Sequence, residues 1–147
     1  MVLHEIAMIS SQRVEILKAV PVLEVADVAV SVGWYEEVLG FTADPFPEIP
    51  PFQFALLKHG DAELMLQLGE QKVAVVPQQY RWNVYLRLDG GHLRELHKRL
   101  SEQSIVTRRL ERTFYGLAEF EVTDPDGYVI CLSESLEDSD DLPAPAV

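Results

Sequence analysis

Cysteine is almost absent from this sequence, since Cys131 is the only one among 147 residues. An internal disulfide is therefore excluded, and a reducing cytoplasm is the compartment that fits best. Basic residues are also scarce, because 12 lysines and arginines stand against 24 aspartates and glutamates, for a formal net charge of −12. So acidic a chain is a poor partner for nucleic acid or an anionic membrane. The charge serves solubility in one interpretation and attracts cationic ligands in the other.

Several functional signatures are missing as well. No apolar run reaches the ~18 residues of a membrane span, and the first residues lack the basic start of a secretory signal. Neither a glycine-rich phosphate loop nor a nucleophile elbow is present. The histidines are scattered, and His92 and His97 do not share a helix face, so a solvated or capping role is expected for each.

The clearest local signal is a hairpin from Glu119 to Ser133. Apolar and polar residues alternate on both arms, which predicts two half-buried strands. The turn between them is Asp124-Pro-Asp-Gly127, where proline presets its own φ and Gly127 tolerates a positive φ. One face of this hairpin suits a core, and the other carries Glu119 and Glu121, which either line a cup or face solvent on an open sheet.

The remaining elements form two similar series. Asp27 is a predicted N-cap and Gly40 a predicted left-handed stop for the first helix. Proline-rich residues 41–51 are expected to be a loop. The strands are predicted at Glu15–Val25, Phe52–Lys58, Glu63–Leu68, Trp82–Leu88 and Ile105–Leu110, and the second helix at His92–Gln103.

The order strand, helix, strands occurs twice, which indicates an internal duplication. We predict an α+β fold of two βαβββ modules in tandem, residues 15–70 and 81–134, within one domain spanning 15–134. Residues 1–14 would be a leader. Residues 135–147 are acidic, contain two prolines and have no period, so they are expected to be a disordered tail.

Four segments make the chain resemble the vicinal oxygen chelate superfamily, which includes glyoxalase I, bleomycin resistance proteins, fosfomycin resistance enzymes and extradiol dioxygenases. They are Val25-Ala-Asp27, Trp34-Tyr-Glu-Glu-Val-Leu-Gly-Phe41, Tyr115-Gly116 and Asp124-Pro-Asp-Gly127. The resemblance implies two half-barrel cups, often completed by dimerisation, with a site on the concave face. A homodimer is therefore expected.

The resemblance also implies where metal ligands would stand. Metal-dependent members use His, Glu or Gln on the first and last strand of each module, and the matching positions are Val20, Met65, Asn83 and Cys131. Valine cannot coordinate, and methionine is a soft ligand unsuited to oxygen chemistry with hard divalent ions. The sequence therefore resembles most the metal-free, bleomycin-resistance-like branch, and neither a metal nor another cofactor is expected.

Because side chains alternate between the two faces of a strand, the predicted strands indicate which residues line the concave face. We expect a mixed apolar and acidic cup with aromatic residues at its rim, suited to a small amphipathic, possibly cationic molecule. Two alternatives stay open: a lyase or dioxygenase with atypical metal ligands or with acid–base residues such as Glu63 and Glu121, and a regulatory or scaffolding protein whose cup is closed by side chains. The predicted ligand-binding residues are Glu63, Met65, Gln67, Trp82, Asn83, Tyr85, Phe114, Tyr115, Glu119, Glu121 and Cys131.

Overall fold

A computed structural model describes residues 13–69 and 81–145. The first module comprises β1 (Val22–Val25), α1 (Val28–Leu39), β2 (Thr42–Phe46), β3 (Phe54–His59) and β4 (Ala62–Leu68). The second comprises β5 (Val84–Arg87), α2 (Leu93–Glu102), β6 (Val106–Arg112), β7 (Ala118–Thr123) and β8 (Val129–Glu134). The strand orders β1-β4-β3-β2 and β5-β8-β7-β6 confirm the predicted tandem βαβββ fold.

Each sheet has one face packed against its helix and one concave face. The helix-facing side is apolar, with Leu64 and Leu66 of β4 and Phe120 and Leu132 of β7 and β8 almost fully buried. In each module the first strand runs parallel to the last, so that Val22 lies opposite Met65 and the remaining strands pair antiparallel. In the part of the chain that is described, no helix combines the length and apolar character needed to cross a membrane.

Helix α1 begins and ends where local chemistry predicts. The Asp27 carboxylate accepts from the Val30 N–H at 3.1 Å, which satisfies one of the free donors of the first turn. Gly40 follows the last turn with φ 73°, a left-handed conformation that costs glycine little.

Two segments differ from the sequence prediction. The proline-rich stretch contains strand β2, which pairs with β3 from Thr42 opposite Lys58 to Phe46 opposite Phe54. Pro45 is tolerated because β2 is an edge strand, where a missing N–H costs no ladder bond. The first strand is shorter than predicted and begins only at Val22, directly after Pro21.

Residues 135–145 follow a defined path, in contrast to the disorder that their composition predicts. A short 3-10 turn spans Ser139–Asp141, and the Asp141 carboxylate accepts from Arg94 of α2 at 2.6 Å. The backbone N–H of Arg112 donates to the Pro143 carbonyl at 2.8 Å. Arginines of the second module thus hold this acidic segment on the domain. Most of the predicted leader lies outside the described residues.

The turn between β7 and β8 locks the two modules together. The buried Tyr35 hydroxyl of α1 donates to the Asp124 carboxylate at 2.6 Å. The Asp126 carboxylate accepts from the backbone N–H of Ala26, at the junction of β1 and α1, at 2.9 Å. The Asp-Pro-Asp-Gly turn is therefore a structural connection between modules as well as a hairpin turn.

Candidate functional site

A buried charge cluster occupies the concave face of the second module. The guanidinium of Arg108 lies 2.5 Å from Glu121 through Nε, 2.5 Å from Glu111 through Nη1 and 3.4 Å from Glu119 through Nη2. All four residues are at most 4% exposed. We refer to them as the Arg108 cluster.

Irregular pairing of β6 with β7 delivers two members of the cluster to this face. Val106 lies opposite Val122, yet Arg108 lies opposite Glu121 and Glu111 opposite Glu119. Regular alternation from Val106 would turn Arg108 toward the helix, and each register shift reverses the facing of the residues that follow. Arg108 and Glu111 consequently both join the concave face.

The cluster combines one guanidinium with three carboxylates in a buried setting. Burial by itself lowers the pKa of Arg108. The hydrogen bond and the charge of Glu121, followed by the charge of Glu111, outweigh burial, so the pKa of Arg108 is raised. The guanidinium therefore stays ionised at every physiological pH. Since a buried charge is tolerated only when it is paired, Arg108 is what permits glutamates in the middle of this sheet.

Aromatic side chains lie against the cluster and donate to it. Trp82 Nε1 donates to Glu121 at 2.9 Å, while the hydroxyls of Tyr85 and Tyr115 donate to one oxygen of Glu119 at 2.7 and 2.6 Å. Trp82 and Tyr85 have ring centroids 4.9 Å apart, and Phe114 meets Tyr115 edge-on at the same separation. These four residues form what we name the aromatic face.

The aromatic face is accessible although its polar ends are held. Trp82 is 36% exposed, Tyr115 45% and Phe114 93%. Burial, followed by the influence of Glu119, raises the pKa of Tyr115, so its hydroxyl remains a donor at neutral pH. The rings are thus anchored at one end by buried carboxylates while parts of their surface remain open to solvent.

The structure brings some of the predicted site residues together and separates others. Glu119 and Glu121 point inward, but their carboxylates are buried and paired with Arg108. Glu63 lies on the sheet of the first module, where its carboxylate is bound by Lys18. Met65 and Gln67 lie on that same strand, β4. The residues gathered at the second concave face are Trp82, Tyr85, Phe114, Tyr115, Glu119, Glu121 and Cys131.

Sequence reasoning missed Lys18, Arg108 and Glu111. A signal for Arg108 was available, because two glutamates on the concave face of one strand, interleaved with buried Phe120 and Val122, demand a cation nearby. The register shifts that turn Arg108, and not its neighbours, toward the glutamates cannot be predicted from the sequence in the same way. The carboxylates of Glu63, Glu119 and Glu121 are therefore paired with cations of the chain itself.

The positions that match metal ligands do not form a donor set. The Asn83 amide oxygen accepts from the backbone N–H of Val129 at 2.9 Å. Cys131 is fully buried, with its Sγ 3.9 Å from Arg108 Nη2, and a guanidinium there repels a metal cation. Val20 and Met65 add no hard donor. Across residues 13–69 and 81–145, no three His, Cys, Asp or Glu side chains are grouped to hold a metal ion.

Comparison with known proteins identifies the family to which the fold belongs. Residues 17–132 match the model of the Glyoxalase/Bleomycin resistance protein/Dioxygenase superfamily. The chain belongs to this superfamily. A search of the curated proteins found no match to this chain.

Solved structures of similar fold come from several bacteria. TioX from Micromonospora sp. ML1 is 20% identical with a TM-score of 0.64, covering 81% of this chain and 96% of that one. A glyoxalase-related enzyme from Clostridium phytofermentans is 19% identical with a TM-score of 0.65, covering 84% and 98%. Lactoylglutathione lyase from Agrobacterium tumefaciens is 17% identical with a TM-score of 0.61, covering 82% and 95%. At such identities the likeness shows the fold alone.

The thiol of Cys131 gives a pH-dependent prediction. Burial, followed by the charge of Glu119, raises its pKa, so the folded state holds this proton more tightly than the unfolded chain. The unfolding free energy should then fall as the pH rises above the ordinary thiol pKa of about 8.5, by up to about 1.4 kcal/mol per pH unit. Denaturant titrations from pH 8 to 10 should show a steeper loss for the wild type than for Cys131→Ala. Parallel pH profiles would contradict this assignment.

Proposed function

We propose that this protein binds a small amphipathic molecule, carrying a planar or cationic group, on the aromatic face of the second module, without using a metal. The observation that supports this best is the anchoring of Trp82, Tyr85 and Tyr115 to buried carboxylates, with Trp82 and Tyr115 still partly open to solvent. Rings held in place in this way present a stacking surface at little cost in conformational entropy. A single buried thiol fits a reducing cytoplasm as the place of action.

Glu119 and Glu121 serve this proposal as positioning residues. Their carboxylates are occupied by Arg108 and by the aromatic donors, so they orient the rings and leave direct contact with the ligand to the ring faces. The ring faces favour a cation above them, where cation–π attraction contributes about 0.5–1 kcal/mol at exposed sites. Affinity should therefore come from stacking, and charge should modulate it.

Tryptophan fluorescence tests the proposal. In a Trp34→Phe background, Trp82 is the only tryptophan, because the sequence contains two. We expect 1-methylquinolinium to quench it with a lower Kd than 1-naphthalenesulfonate. Truncating Phe114 or Tyr115 to alanine should weaken quinolinium binding by about two- to tenfold, the equivalent of the 0.5–1.5 kcal/mol of an aromatic pair.

The matched control is Phe46→Ala, which removes an exposed phenylalanine from the first module, 56% accessible, and should leave the Kd unchanged. Titrations run in a chelator and after addition of Mn²⁺, Ni²⁺ or Zn²⁺ should agree. A metal requirement, or preference for the sulfonate, would contradict the proposed mode of binding.

We further propose that the protein is a homodimer that covers the concave face of the first module. Phe46 and Phe54 stack there with centroids 5.2 Å apart, and Val22 is 51% exposed. Ile16 and Leu17, before β1, are more than four-fifths exposed. Two-fold dimers commonly bury such surfaces. Size exclusion with light scattering should give the dimer mass at micromolar concentration and the monomer mass for Phe54→Asp. A monomeric wild type would contradict the proposal.

A further inference from the structure

The two modules face each other at two related interfaces, and these are unequal. At the first, residues 124–128, which join β7 to β8, fill the space beside the junction of β1 and α1. At the second, the corresponding turn between β3 and β4 consists of Gly60 and Asp61 alone, and it lies opposite the junction of β5 and α2. The shorter turn does not fill the second interface.

A cleft of about 880 Å³ results at that second interface. The end of α1 and the β3–β4 turn form its first-module wall, while β5 and α2 form its second-module wall. Leu86, Leu96 and the buried Leu132 supply an apolar surface inside it. This volume lies within the ~300–1,000 Å³ that is typical of small-molecule sites.

Opposite charges line the two walls. Glu37 and Asp61 come from the first module, and Arg87 and Arg99 come from the second. Arg99 also donates to the Val38 carbonyl of α1 at 3.1 Å, which ties its guanidinium to the end of that helix. Asp89 stands with these arginines on the second wall, and His59 and His92 complete the ionisable lining. The first wall carries two carboxylates and favours an ammonium group, whereas two arginines against one aspartate leave the second wall in favour of a carboxylate.

We propose that this cleft binds a short apolar peptide with free ends. Its ammonium group faces Glu37 and Asp61, its carboxylate faces Arg87 and Arg99, and its apolar side chains cover the leucines. The arginines decide the carboxylate placement, because the Gly91 and Leu93 N–H groups at the start of α2 already donate to the carboxylate of Glu134.

Calorimetric titration of trileucine and of its acetylated, amidated and doubly blocked forms tests this inference. We expect free trileucine to bind most tightly, and acetylation of the amino end or amidation of the carboxyl end to weaken binding by about two- to fivefold each, as for exposed ion pairs. In the double variant Glu37→Gln, Asp61→Asn, the free and acetylated peptides should bind equally. The preference for a free carboxylate should persist there.

Glu36→Gln is the matched control, because Glu36 precedes Glu37 on α1 but does not line the cleft. It should leave all four Kd values unchanged. Phe114→Ala on the aromatic face should do the same, because Phe114 does not line the cleft, and this separates the cleft from the proposed function. Denaturation midpoints verify that each variant is folded. Equal binding of the four peptides, no binding at millimolar concentration, or equal loss in Glu36→Gln would overturn the inference.

Discussion

Replacing Arg108 with methionine should lower the unfolding free energy at pH 7 by about 3–5 kcal/mol, the usual cost of removing one partner from a buried ionic network. The guanidinium contacts Glu111, Glu119 and Glu121, each almost fully buried, so its loss leaves carboxylates without their common counter-ion. Methionine retains much of the side-chain length, which separates the loss of charge from the loss of packing.

Arg109→Met provides the control for this experiment. Arg109 is the next residue on β6, its side chain is 58% exposed, and its Nε lies 3.6 Å from Glu111. Exposed pairs contribute only about 0–1 kcal/mol, so this change should be small in chemical denaturation. Adding Glu119→Gln and Glu121→Gln to Arg108→Met should restore part of the lost stability. Equal effects of Arg108→Met and Arg109→Met would show that the cluster is not held by Arg108.

Replacing Tyr35 with phenylalanine should lower the unfolding free energy by about 1.5–3 kcal/mol, the range for a hydrogen bond to a charged group. The Tyr35 hydroxyl is buried and donates to the Asp124 carboxylate at 2.6 Å. Burial, followed by the nearby Asp124 charge, raises the pKa of Tyr35, so the donor is retained at neutral pH. Phenylalanine removes one atom and leaves the carboxylate with a buried oxygen that lacks its donor.

Tyr128→Phe is the matched removal of a hydroxyl at the same interface. The Tyr128 hydroxyl donates to the carbonyl of Glu24 at 2.8 Å, and this bond is exposed and has a neutral acceptor. Its loss should cost about 0.5–1.5 kcal/mol. Urea unfolding followed by fluorescence measures both variants. A Tyr35→Phe effect no larger than that of Tyr128→Phe would contradict the importance assigned to the buried bond.

Residues close in sequence determined much of the fold. Asp27 caps α1 and Gly40 ends it because both act through backbone groups within a few residues of themselves. Alternation along β7 and β8 was sufficient to put Phe120 and Leu132 on the core side and Glu119 and Glu121 on the other, since a strand has a period of two. The order of elements then indicated the duplication and the superfamily.

The partners of those glutamates were decided only by the tertiary structure. Arg108 reaches Glu119 and Glu121 because the register shift between Val106 and Arg108 turns it inward, and a second shift between Arg108 and Glu111 does the same for Glu111. Such shifts depend on contacts across strands. Glu37 and Asp61 of one module and Arg87 and Arg99 of the other line the same cleft only once the two modules pack together. Local periodicity establishes which face a side chain occupies, whereas its partner depends on segments that are distant in sequence and adjacent only after folding.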